Sequence, residues 1–150
     1  MTILDYINYL LPTATKICCD NGLKPCIMFA CLSQGALETG WCKSDIMREH
    51  NAPFGVKWTG EGDYYECQTK EHDKNGCAYY VTAKFRAYDT LYDGIADYIR
   101  LITSGRYKDT LKCNYVQDVI KVLKQNGYAT DIDYINKVMG CYDSIVKVLR

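Results

Sequence analysis

Residues 54 to 88 set the limits on what this chain can fold into, because the helical patterning on either side of them stops there. The stretch carries the turn formers Gly60, Gly62 and Asn75-Gly76. It is rich in Tyr, Val, Thr and Phe: Tyr64-Tyr65, Ala78-Tyr79-Tyr80-Val81-Thr82 and Phe85. Aromatic and β-branched side chains fit a pleated surface, and Asn-Gly between two such runs signals a hairpin. The segment therefore predicts a small antiparallel sheet that turns at Asn75-Gly76.

Both flanks read as helical. From Pro25 to Thr39 the apolar residues Ile27, Met28, Cys31, Leu32 and Leu37 alternate with the small residues Ala30, Gly35 and Ala36. A helix apolar nearly all round is a buried one, and Gly40 supplies its left-handed stop. Ahead of it, two short helical pieces are expected, the second starting at Pro12 and ending at Asn21-Gly22. Ser44 is read as the N-cap of a short helix to Glu49. Leu91, Ile95, Tyr98, Ile99 and Ile102 share one face of a helix capped by Asp89 or Thr90 and ended near Gly105. Val116, Val119, Ile120 and Leu123 mark another, stopped by Asn126-Gly127. A last stripe runs from Tyr134 to Leu149. The sum is one α+β domain over residues 1–150, mostly helical, with a small antiparallel β lobe at about 54–88. A cleft is expected between lobe and helices.

Composition removes several classes. The 18 basic and 18 acidic residues balance, so no basic face is expected for nucleic acid. No apolar run reaches the roughly 18 residues of a membrane span. The first charges, Asp5 and Lys16, do not give Met1–Cys19 the positive start of a secretion signal, so the chain reads as a leaderless protein or a domain cut from a larger exported one. Its nine cysteines are odd in number and contain no Cys-x-x-Cys, which argues against a zinc ribbon or a thioredoxin-type site. Mostly buried free thiols are expected, with Cys67 and Cys77 the pair most open to a cross-strand disulfide. His50 and His72 are not spaced as a metal pair, so neither metal nor cofactor is expected.

Glu38 is the carboxylate best placed for chemistry. It sits at the end of an apolar helix, in Ala36-Leu37-Glu38-Thr39-Gly40-Trp41. Apolar surroundings and the negative end of a helix both favour the protonated form, which a general acid needs at neutral pH. A second carboxylate would complete an acid–base pair. The β lobe offers Glu61, Asp63, Glu66, Glu71 and Asp73, and composition does not choose among them. Trp41, Trp58, Tyr64, Tyr65 and Tyr88 lie in or beside the expected cleft, where aromatic faces stack on sugar rings.

Four segments in order give the chain a resemblance that covers about Ile3 to Val148. They are Ala36–Trp41; His50-Asn51-Ala52-Pro53-Phe54-Gly55-Val56-Lys57; Thr69-Lys70-Glu71-His72 through Phe85-Arg86-Ala87-Tyr88; and Gly127-Tyr128-Ala129-Thr130-Asp131 with Tyr134 and Lys137. Together they resemble the glucosaminidase family of bacterial cell-wall hydrolases, glycoside hydrolase family 73. The resemblance implies a lysozyme-like fold. It also implies cleavage of the β-1,4 bond between N-acetylglucosamine and N-acetylmuramic acid in peptidoglycan, after the glucosamine unit. Glu38 matches the family's general acid, Glu71 its proposed second carboxylate and Tyr128 the tyrosine lining the cleft beside the acid. Asn51, Phe54 and Gly55 match cleft-shaping positions, and with Trp41, Trp58, Tyr88 and Tyr134 they form the substrate-binding set.

Two residues depart from the family pattern. Cys42 stands where Gly commonly follows the Trp, and Ile132 where Pro often follows Thr-Asp. With the cysteine content, they suggest a phage, plasmid or anaerobe source. The expected partner is the peptidoglycan glycan strand, met at the cell wall outside the membrane by a monomer or by a domain of a larger wall hydrolase. The competing readings are a muramidase, a lytic transglycosylase and a non-catalytic wall-binding module.

Overall fold

A computed structural model describes every residue from Met1 to Arg150. The first helix, α1, is continuous over Ile3–Asp20. Thr2 accepts from the Asp5 N–H, and the Asp5 carboxylate reaches back to the Thr2 N–H, a full capping box. Pro12 lies inside this helix, so the expected break there does not occur. Pro12 and Asn8, whose carbonyl would have been its partner, are both exposed, so the freed carbonyl meets water. A proline in a helix interior costs about 3 kcal/mol. Tyr6, Ile7, Leu10, Ala14, Ile17 and Cys18 are buried along the same helix, at roughly 1.5–3 kcal/mol for each large apolar side chain. Burial on both sides of Pro12 outweighs the lost bond.

Helix α2 covers Pro25–Thr39, with Pro25 in its first turn and Gly40 left-handed at φ 58°. It is the buried centre of the molecule and packs against α1, α4 (Leu91–Thr103), α5 (Val116–Gln125) and α6 (Tyr134–Leu149). Its own Gly35 permits the closest contact. A Cβ there would lie 2.4 Å from the Phe54 ring. Between α2 and the sheet sits α3 (Asp45–Glu49), where Ser44 holds the N-cap position without a side-chain bond. Thr90, of the two expected caps, is the one that caps α4. A 3-10 helix, Gly105–Lys112, joins α4 to α5, and no local pattern announces it. Its anchor is tertiary: the buried Thr110 hydroxyl bonds to the Ile102 carbonyl at 2.8 Å.

The β lobe is a two-stranded antiparallel ribbon, β1 (Tyr64–His72) and β2 (Ala78–Arg86). A five-residue loop joins them. In it Asp73 Oδ1 accepts from the N–H groups of Asn75 and Cys77, and Gly76 takes φ 76°. Cys67 faces Ala83, while Cys77 lies at the end of the loop, one residue before Ala78, the partner of His72; five residues of β1 follow Cys67 before the loop, and the expected Cys67–Cys77 pairing is not made. Cys18, Cys26, Cys31 and Cys42 instead fill core positions as small hydrophobes.

An isolated two-stranded ribbon is marginal in water, and this one is held at its base. Tyr65, Phe85 and Ala52 form a small buried cluster. Lys57 bridges to Phe85, and the Arg86 N–H donates to the Val56 carbonyl at 2.8 Å. Arg86 also pairs with Asp97 of α4 at 2.7 Å. Along the face that carries Tyr65 and Phe85, burial fades through Cys67 and Ala83 to the exposed Glu71 and Tyr79. The ribbon therefore leaves the helical body as it runs outward.

Candidate active site

Glu38 lies one residue before the end of α2. The stop after it is unusual, because Gly40, Trp41 and Cys42 are all left-handed, at φ 58°, 65° and 54°. Left-handed backbone is costly for residues other than glycine, and this strain sits beside the candidate acid. Several bonds hold it. The Trp41 N–H donates to the Ala36 carbonyl, the Cys42 N–H to the Thr39 hydroxyl, and Arg48 to the Cys42 carbonyl. The φ of Cys42 also gives a reason for glycine to be common at that place.

Sequence reasoning expected apolar surroundings for Glu38. The structure corrects this. The side chain is exposed in an open groove of about 480 Å³, whose other wall is the segment from Gly127 to Lys137. Gly127, left-handed at φ 88°, turns the chain after α5, and the Tyr128 N–H returns to the Leu123 carbonyl. Asp131 then pins the segment. It accepts from the Asp133 N–H, pairs with Lys137, and its carbonyl takes a bond from Lys124. This delivers Tyr134, the first residue of α6, to Glu38, where its hydroxyl donates to Oε1 at 3.3 Å.

Two tyrosines thus meet the groove, and each is backed by a buried polar group. Gln34, fully buried, donates its amide to the Tyr134 hydroxyl at 3.2 Å. Tyr98, 2 % exposed, bonds to the Tyr128 hydroxyl at 2.5 Å and has no other partner. A buried hydroxyl proton needs an acceptor, so Tyr98 donates and the Tyr128 proton is turned toward the groove. Burial holds the hydroxyls of Tyr128 and Tyr134 well above their ordinary pKa, and the nearby Glu38 charge pushes both further the same way. Both remain protonated donors at neutral pH. The Tyr128 ring packs edge-on to Tyr107 at 5.8 Å and lies 6.0 Å from Tyr134.

The structure brings Glu38, Tyr128 and Tyr134 together and distributes the other expected residues elsewhere. Phe54 is 5 % exposed and stacks on Tyr98 at 4.3 Å, so it shapes the groove from behind and offers a glycan no surface. Asn51, itself left-handed, donates its amide to the carbonyls of Tyr88 and Asp89, tying the lobe's entry to its exit. Gly55, at φ 61°, closes the turn from Ala52 that leads into the lobe. Trp41 packs edge-on to Tyr6 at 5.3 Å. Trp58 lies against Tyr64 with the Lys84 ammonium over both rings. Tyr88 lines a second, larger groove of about 880 Å³ and donates to Asp97 at 2.5 Å. Glu71 is exposed on the outer part of β1, opposite Tyr79.

Gln34 and Tyr98 were missed by sequence reasoning. The only signal for Gln34 was a lone amide in an otherwise apolar helix. Tyr98 reads as core from the sequence, which it is, and nothing local points to its hydroxyl partner 30 residues away. No three His, Cys, Asp or Glu side chains converge to hold a metal.

A buried central helix ringed by other helices, with a small antiparallel lobe to one side, gives the chain a lysozyme-like fold. The glycoside hydrolase domain of Salmonella typhimurium FlgJ has this fold. It superposes with a TM-score of 0.79 at 28% identity over 99% of this chain and 91% of that one. The family model described as mannosyl-glycoprotein endo-beta-N-acetylglucosaminidase matches residues 11–147, and the chain belongs to this glucosaminidase family. The peptidoglycan hydrolase FlgJ of Salmonella typhimurium is 38% identical over 114 residues, 71% of this chain and 36% of that protein. The exo-glucosaminidase LytG of Bacillus subtilis is 32% identical over 113 residues, 71% of this chain and 40% of that protein. The chain thus spans little more than a third of the length of these relatives.

Proposed function

We propose that this domain hydrolyses the β-1,4 bond between N-acetylglucosamine and N-acetylmuramic acid in peptidoglycan, with Glu38 as general acid. The observation that carries the reading is the Glu38 carboxyl, open to a groove and bonded on one oxygen by Tyr134. The protonated acid gives its proton to the glycosidic oxygen as the bond breaks. Positive charge then develops on the sugar ring, and the Tyr134 bond stabilises the carboxylate left behind. Tyr128, its proton turned to the groove, is a donor to the sugar or to the attacking water.

Glu71 is the second carboxylate of this reading. It shares a face of the ribbon with Tyr65 and Phe85, the face that meets the helical body at its base. Glu66 points the other way, opposite Lys84. A single main core of 27 buried residues supports residues 1–150 as one catalytic domain. It works at the cell wall, alone or as a module of a larger wall hydrolase.

The test is mass spectrometry of fragments released from purified peptidoglycan. Reducing-end N-acetylglucosamine is expected. A reducing muramic acid would mean a muramidase, a 1,6-anhydro end a transglycosylase, and no fragments a binding module. Glu38→Gln keeps the shape of the side chain but has no proton to give, so release should fall by about 10²–10⁴-fold in a folded protein. Near-normal release would remove Glu38 from the role. Among the lobe carboxylates, Glu71→Gln should slow turnover strongly and Glu66→Gln should not.

A further inference from the structure

We infer that Gln34 is a positioning residue for this reaction: through Tyr134 it fixes which oxygen of Glu38 carries the catalytic proton. The inference rests on the reading of Glu38 as the acid.

Gln34 is fully buried in the middle of α2 and cannot touch a glycan. Its amide nitrogen donates to the Tyr134 hydroxyl at 3.2 Å, and its Oε1 has no partner. A buried acceptor left without a partner loses its bonds to water and gains none in return. Rotating the amide by half a turn would let that oxygen accept the Tyr134 proton but would leave the NH₂ in its place without an acceptor. The rotation would also take the only proton Tyr134 has away from Glu38 Oε1, 3.3 Å off. The observed chain runs one way, from the Gln34 NH₂ to the Tyr134 oxygen and from the Tyr134 hydroxyl to Glu38. Either orientation leaves one end of the amide unpaired, and the observed one keeps the Tyr134 proton on Glu38.

The direction matters when Glu38 is protonated. Oε1 already accepts from Tyr134, so the acidic proton resides on Oε2, free to reach the leaving oxygen. Without the Gln34 donor, the Tyr134 hydroxyl turns to other acceptors, and its oxygen takes a bond from the Glu38 proton. The acid is then engaged by its neighbour rather than aimed at the substrate. After transfer the same Tyr134 proton holds the new carboxylate, so the pair acts on the rate and not on binding.

The experiment compares Gln34→Met, Tyr134→Phe and the double variant with the unmodified protein on purified peptidoglycan, each checked for an unchanged thermal melt. Methionine fills the volume of glutamine without a donor. Each single variant is expected to lose about tenfold in kcat at unchanged KM, the effect of one hydrogen bond to a charged group on a rate. The double variant is expected to be no slower than Tyr134→Phe, because Gln34 acts only through that hydroxyl. Losses that multiply, or a Gln34→Met enzyme of full rate, would overturn the inference. If Gln34→Met does not fold, Tyr134→Phe decides alone, and full activity in that variant rejects the relay. Glu38→Gln separates the two levels. If it is inactive while Gln34→Met and Tyr134→Phe run at the normal rate, the relay fails and the acid stands. An active Glu38→Gln rejects both.

Discussion

At Tyr65 the ring and the hydroxyl pull in opposite directions. The ring is 4 % exposed and stacks on His50 at 4.7 Å and on Phe85 at 5.7 Å. The hydroxyl is buried with no partner, and burial, followed by the neighbouring Cys67 and Cys42 thiols, pushes it up to about 12. Removing an unsatisfied group while keeping its ring should help. Tyr65→Phe is expected to stabilise the protein by about 1 kcal/mol, read as a higher urea midpoint at unchanged slope. A loss of stability would mean that the hydroxyl has a partner. The other orphan, Gln34 Oε1, belongs to the amide that donates to Tyr134, so removing that amide should lower the rate instead. At this scale the sequence singles out Glu38 as a candidate, because its helix-end position is local, and Tyr128 and Tyr134 through the motif that holds them; that the three line one groove is seen in the structure. The bond from Gln34 to Tyr134 joins residues 100 positions apart, and nothing local encodes it.

Among the elements, α2 and the hairpin were legible because their punctuation is local: Pro25 and Gly40 for one, Asn75-Gly76 for the other. The continuity of α1 was not, since it depends on which side of the helix meets water at Asn8. Two contacts between elements yield predictions. In α4, a Cβ on Gly94 would stand 2.0 Å from the Asn51 carbonyl oxygen and 3.2 Å from the Tyr88 ring. Backbone cannot yield as a flexible side chain does. Gly94→Ala is expected to cost about 3 kcal/mol and lower the melting temperature by roughly 6–12 °C; an unchanged melt would refute this contact. Asp97, also on α4, receives Tyr88, Arg86 and Arg100. Burial pushes its carboxyl up, but these three bonds outweigh it and hold the pKa below the ordinary 3.8. A depressed carboxylate stabilises the fold above its unfolded value and ceases to do so as pH falls through the folded one. The stability lead of the native protein over Asp97→Asn should therefore be full at pH 7 and shrink below about pH 4. Equal urea midpoints for the two at pH 7 would show that the cluster contributes nothing.

For the whole molecule, the arrangement of body and lobe was visible in the sequence, and the distribution of residues over the lobe was not. Trp58 and Glu71 fall in one β-rich segment, yet Trp58 packs with Tyr64 and Lys84 of one ribbon face while the register sets Glu71 on the other, opposite Tyr79. The outer ribbon is exposed and adds nothing to the main core. Replacing residues 70–80 by a two-residue Asn-Gly turn should shift the melting temperature by no more than about 2 °C, since exposed changes stay within roughly 0.5 kcal/mol. The same change should reduce glycan cleavage at least tenfold if Glu71 takes part. A truncated protein that still clears walls at the normal rate would remove the outer ribbon from the reaction. Each strand has nine residues, roughly 30 Å at about 3.4 Å per residue, and all its fastenings are at one end. Mechanically this is a lever whose fulcrum is Asp97. On the proposed reading, any rotation there would be magnified at Glu71, so the reach from Glu38 to Glu71 would be set at the fulcrum. An exchange at Asp97 should then alter the rate from outside the groove.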